Sequence, residues 1–187
     1  MKHIDPERRK ALLARREELK KKLYRQQQRE SRKDLLNQLD EKLAQYKIIW
    51  AEDSVADPIS AWIGESFAVA WWGRIDWTQV PNCDQRYWNI NQYSDLLATF
   101  KQLLLDHQLG DPIVRVTWAD ANSLSLELSL SLVAQYAEWV FEEGWDTWII
   151  CLEQSWCIEC YHEGELCFGY SQKKVNSGFK HEINQPI

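Results

Sequence analysis

The chain has 187 residues, 45% of them hydrophobic and 12% aromatic. That is enough to bury the core of one domain and too apolar for a disordered chain. No run approaches the roughly 18 uncharged apolar residues of a membrane span, and the opening MKHIDPERRK lacks the apolar core of a secretory signal. No membrane partner and a cytoplasmic location are therefore expected.

The formal charge of −6 is unevenly spread. Up to Lys47 there are 15 Lys/Arg against 8 Asp/Glu, and beyond it 7 against 20. The chain thus divides into a basic segment, 1–47, and an acidic domain, 48–187, which should repel nucleic acid and attract basic proteins.

Asp5 and Pro6 suit the N-cap and first position of a helix that meets no further Gly or Pro before Tyr46. Unbroken, it would be about 60 Å long. Leu12, Leu13, Leu19 and Leu23 are separated by a polar stretch from Leu35, Leu36, Leu39, Leu43 and Tyr46. The spacing of Leu36, Leu39, Leu43 and Tyr46 predicts a docked second half, and residues up to about 30 read as separable.

Ser66–Trp72 alternates as a strand apolar on both faces, and Arg86–Ile90 as a second strand. A helix is predicted from an N-cap at Ser94 to Leu109, stopped by Gly110. Ile113–Trp118 reads as a strand with Arg115 and Thr117 on a wetter face. Residues 122–130 fit strand and helix equally, and a second helix is predicted from about Ser129 to Glu143. Trp148–Leu152, Trp156–Tyr161 and Leu166–Tyr170 form a three-strand meander. The predicted fold is α+β: a mainly antiparallel sheet, two packed helices and the long N-terminal helix.

Four of the five cysteines, Cys151, Cys157, Cys160 and Cys167, lie close together near His162. Zinc takes such ligands, but a structural site sets its C-x2-C pair on a tight turn. Cys157 and Cys160, three apart on a strand, point to opposite faces, so buried thiols and no metal are expected. The same parity separates His162 from Cys160 and argues against a cysteine nucleophile. The carboxylates Glu142, Glu143, Glu159, Glu163 and Glu165 read as a solvated acidic surface. No phosphate loop, nucleophile elbow or zinc-protease motif is present. Neither catalysis nor a cofactor is expected.

The stretch 145–169, WDTWIICLEQSWCIECYHEGELCFG, resembles small bacterial immunity proteins of polymorphic-toxin and contact-dependent inhibition systems. The matching positions are Trp156, Ile158, Glu159, Gly164, Phe168 and Gly169. The resemblance implies a stoichiometric inhibitor of a toxin domain, with no turnover of its own. Asp76, Asp84, Asp120, Glu159, Glu163 and Glu165 would meet a basic partner, such as a nuclease toxin, and Trp77 or Trp156 would anchor it. The competing reading is a nucleic-acid- or ribosome-associated factor that binds through the basic residues of 8–33.

Overall fold

The computed structural model describes residues 6–54, 58–70, 73–120 and 123–171. They form an α+β fold around a seven-stranded sheet in which every adjacent pair is antiparallel. The strands are β1 (Tyr46–Ile49), β2 (Asp84–Tyr87), β3 (Ile113–Trp118), β4 (Ser125–Ser129), β5 (Thr147–Cys151), β6 (Trp156–Tyr161) and β7 (Glu165–Tyr170), in the order β1-β4-β3-β5-β6-β7-β2. The C-terminal meander is β5–β6–β7, with Ile149 opposite Ile158 and Ile158 opposite Phe168.

The N-terminal region is two helices rather than one. α1 (Pro6–Glu30) ends at a bend, where Ser31 Oγ donates to the Gln28 carbonyl and Arg32 leaves helical backbone geometry, before α2 (Lys33–Glu41) begins. A serine hydroxyl bonded back to a preceding carbonyl competes with the helical ladder and bends it. On α2 the buried residues are Leu35, Leu36 and Leu39. Leu43, expected in the same stripe, has φ +53 and is 89% exposed, because the chain turns out of the helix there. Tyr46 already belongs to β1, so a division drawn after Lys47 falls inside a strand of the sheet.

One face of the sheet carries Val114, Val116, Trp118, Leu126, Leu128, Ile149, Trp156, Ile158, Leu166 and Phe168. They share one core with the leucines of α2, with α5 (Tyr93–His107) and with α6 (Leu130–Gln135) and α7 (Ala137–Glu142). Residues 125–129 are therefore strand, and the helix expected from Ser129 to Glu143 is broken at Tyr136. Ser129 caps α6, its Oγ accepting the Leu132 N–H at 3.3 Å. The start of α5 is Tyr93 rather than a cap at Ser94, and its end is set by Gln108 at φ +49, two residues ahead of Gly110.

The opposite face, over β5–β6–β7, carries Ile150, Cys157 and Cys167, covered by Ile59, Phe67, Ile75, Trp77 and Val80. The strand predicted over 66–72 is not formed in its described part. Ser66 closes α4 (Pro58–Ser66), and Val69 pairs with Ile75 in a single bridge. Trp71 and Trp72 lie outside the described residues. The predicted strand at 86–90 is shifted to β2, the edge strand beside β7. A short α3 (Ala51–Ser54) follows β1. Gly169 is where the covering segment comes closest. A Cβ there would meet Val80 Cγ1 at 2.8 Å and the Trp77 ring at 2.9 Å, so any larger residue would lift that segment off the sheet.

Candidate functional site

The eight acidic and aromatic residues picked from the sequence do not form one surface. Trp77 and Trp156 are 5% and 0% exposed, so both indoles expected as anchors are core. Trp156 Nε1 donates to Gln154 Oε1 at 2.9 Å. Glu159 is fully buried. It accepts from Trp77 Nε1 at 2.5 Å and Trp148 Nε1 at 2.9 Å, with Arg74 Nη2 at 3.4 Å. Arg74 lies over the Tyr161 ring, 3.5 Å from its centroid, and reaches Glu165 at 3.0 Å. Burial pushes the Glu159 carboxyl above the usual carboxylate range, and the indole and guanidinium donors offset this only in part. The network therefore pins residues 74–77 to the sheet.

Asp76 caps the short 3-10 turn Trp77–Gln79, accepting from the Thr78 N–H and hydroxyl and from Gln79. Asp84 is held by Arg86 and by His107 Nε2 at 2.8 Å, and Arg86 also meets Asp106. Both carboxylates have lowered pKa values, Asp76 chiefly through its bond from Thr78 and Asp84 through that from Arg86. Arg115, expected on a wetter face, is buried and donates to Glu127 at 2.5 Å.

Cys151 and Cys160 belong to the helix-covered face, Cys157 and Cys167 to the opposite one. Burial pushes the Cys160 and Cys167 thiols up to about 12 and raises the Cys157 thiol well above its ordinary value. Among the described residues no three His, Cys, Asp or Glu side chains are grouped to hold a metal ion. Because the thiolate is the reactive form, a thiol reagent should label the folded protein rapidly at Cys83 alone. Unfolding in denaturant should raise the count to all five cysteines. Rapid labelling of two or more in the native state would mean that the sheet opens.

The concave feature that gathers chemistry lies at one end of the sheet. The loops after β3 and α7 and the turn after β6 meet the bend before α2 there. The cleft, of about 440 Å³, is lined by Arg32, Trp118, Ala119, Asp120, Glu143, Gly144, Trp145, Asp146 and His162. Its floor is rigid: Trp118 Nε1 donates to the Val140 carbonyl at 2.9 Å, and the Arg32 guanidinium sits over the Trp118 ring, 4.7 Å from its centroid. Arg32 Nη1 donates to the Glu143 carbonyl at 2.5 Å and lies 3.4 Å from Glu143 Oε2. Gly144 leaves room for this floor, since a Cβ there would sit 3.0 Å from Trp118 Cδ1.

The wall is acidic and aromatic. Asp146 Oδ1 accepts from the His162 backbone N–H at 3.2 Å and stands 2.8 Å from His162 Nδ1. Trp145 packs edge-on to the His162 ring at 5.0 Å between centroids, yet is 77% exposed. The acidic groups at the mouth are Asp120 and Asp146, with exposed Glu163 next along the turn from His162. Of the predicted residues, Asp120 and Glu163 thus lie at this end of the sheet. Trp145 and Asp146 were not singled out, His162 was weighed only beside the cysteines, and Arg32 only within the basic run of residues 8–33. The signal for Trp145 was its place between Gly144 and Asp146, off any apolar face. No protein-family model matches the chain, and no curated protein matches its sequence.

Proposed function

We propose that this protein is a stoichiometric binding protein of the immunity type, which holds a basic protein partner at the Trp145 cleft and blocks it in the cytoplasm of the producing cell. The observation that carries this reading is a large aromatic left in water at the mouth of an acidic cleft. The cleft belongs to a body with 7 Lys/Arg against 20 Asp/Glu beyond Lys47. Exposed tryptophans beside a preformed cavity are the usual anchors of protein interfaces, while complementary charge accelerates encounter. The floor of Trp118, Arg32 and Glu143 is already packed, so little ordering is needed on binding. Among the described residues that line the cleft none is a Ser, Thr, Cys or Lys nucleophile, and binding rather than turnover is the function proposed.

The test is co-expression with the product of the adjacent upstream gene, followed by binding measurements. Trp145→Ala should weaken the complex by about 2 kcal/mol, roughly 30-fold, chiefly through faster dissociation. Asp120→Lys should slow association, and more so at low salt. If the wild type neither protects the cell nor co-purifies with that product, the immunity reading fails. If it does both and Trp145→Ala matches the wild type, binding occurs elsewhere on the domain.

A further inference from the structure

The contacts that dock α1 on the rest of the described protein run from Lys21 toward its C-terminal end. Lys21 and Arg25 pair with Asp53, Arg25 also with Glu52, and Gln28 accepts the Ala51 N–H at 2.9 Å and donates to Glu52. These residues share one side of the helix. At about 100° per residue, Leu12, Leu19 and Leu23 fall within roughly 40° of one another on the opposite side, about 180° from Lys21. All three are more than half exposed. The leucine face therefore points away from the protein's own core, and no swing of the docked end buries it.

Between Arg8 and Lys22 the flanks of that face are basic: Arg8, Arg15 and Lys22 lie within roughly 80° on one side and Arg9, Arg16 and Lys20 within roughly 80° on the other. Glu7, Glu17 and Glu18 occupy the docked half of the circumference, and Glu30, on the leucine side at the C-terminal end of the helix, is paired with Lys33. The helix holds ten Lys/Arg and four Glu. Among the described residues, none of Arg8, Arg9, Arg15, Arg16 and Lys22 has a carboxylate at ion-pair distance, and Lys20 pairs only with its helix neighbour Glu17.

A second copy of this helix would bring two cationic flanks together on either side of the seam, which repels. A nucleic acid would use the charge and leave the leucines unburied. A bilayer surface carrying anionic lipids accepts both, the leucines entering the acyl boundary while the flanking cations stay among the headgroups.

We infer that α1 is an interfacial helix that lies with Leu12, Leu19 and Leu23 in the surface of an anionic membrane. Among the described residues no helix is long and apolar enough to cross a membrane, and lying in the interface requires neither property. Because the leucine face is opposite the docked face, the acidic domain is held on the water side. The width of the helix separates it from the lipid charge, a distance comparable with the Debye length of about 8–10 Å at physiological salt.

The experiment is co-sedimentation of the full chain with phosphatidylglycerol–phosphatidylcholine vesicles, with pure phosphatidylcholine vesicles, and in parallel with a labelled single-stranded RNA. Binding should favour the anionic vesicles by about tenfold or more and weaken as salt rises. The triple variant Leu12→Ala, Leu19→Ala, Leu23→Ala keeps helix propensity. It should lose the vesicles by about tenfold and leave any RNA binding unchanged. Arg8→Gln with Arg15→Gln and Arg16→Gln should abolish the preference for anionic vesicles. The inference is overturned if anionic vesicles are not bound, if the leucine variant binds them as the wild type does, or if RNA is bound more tightly than vesicles. In the last case α1 is a nucleic-acid arm.

Discussion

A chain lacking residues 1–41 is expected not to fold, whereas one lacking residues 1–19 is expected to keep the full stability of the domain. Leu35, Leu36 and Leu39 are buried in the main core. Each is worth about 2 kcal/mol in transfer free energy alone, so together they exceed the lower end of the roughly 5–15 kcal/mol that holds a domain of this size. Loss of α2 also leaves Glu143 without Arg32 and without the Leu35 N–H, which it accepts at 3.3 Å. Among the described residues, a deletion to residue 19 removes only exposed side chains, and its effect should stay within about 0.5 kcal/mol. Cutting at residue 30 falls between. It removes Gln28 and the Arg25 pairs, for a loss of about 1–2 kcal/mol. Urea midpoints and near-ultraviolet circular dichroism of the three truncations give the check. A cooperative transition in the chain lacking residues 1–41 would show that α2 is dispensable.

Glu159→Leu is expected to cost about 3–5 kcal/mol, the usual consequence of removing one partner from a buried charged network. The two indole N–H groups of Trp77 and Trp148 lose their acceptor, and Arg74 keeps only Glu165. Glu159→Gln should cost less, because its amide oxygen still accepts from one of the two indoles, which bond different carboxyl oxygens of Glu159. The two variants also separate hydrogen bonding from charge. The folded carboxyl of Glu159 titrates above its ordinary value, so its contribution is complete below the unfolded-state value and is lost as pH rises through the folded-state value. The advantage of wild type over Glu159→Gln should therefore be largest in mild acid and shrink as pH rises above the usual carboxylate range. Denaturant midpoints of both variants across that range measure this. A gap that widens with pH would show that Glu159 is held as a carboxylate.

The sequence by itself determined the elements whose signals are local. β3, β5, β6 and β7 were legible because period-two alternation bounded by turn residues needs no knowledge of a distant partner. The docking of α2 was readable from leucines at helical spacing, as was the opposite orientation of Cys157 and Cys160. What failed locally depended on contacts far along the chain. The bend at Ser31–Arg32 carries no Gly or Pro. It coincides with an arginine reaching over Trp118 to Glu143, more than a hundred residues away. Ser66–Trp72 had apolar residues on both faces, a pattern without directional preference, and its first residue was taken by a helix packed on the second core.

Tertiary structure alone decided which acids and which tryptophans face water. Glu159 looks in sequence like Glu163 and Glu165, and is buried only because Trp77, Trp148 and Arg74 converge on it from three segments. Trp156 and Trp145 are equally large and equally apolar. The first sits inside a central strand between two covered faces, and the second on a loop where the chain turns from α7 to β5, stacked edge-on with His162 and 77% exposed. Hydrophobicity is a property of the residue, but burial is a property of what the rest of the chain brings over it. For that reason the acidic aromatic cleft became visible only once the bend before α2, the loop after β3 and the turn after β6 were placed side by side.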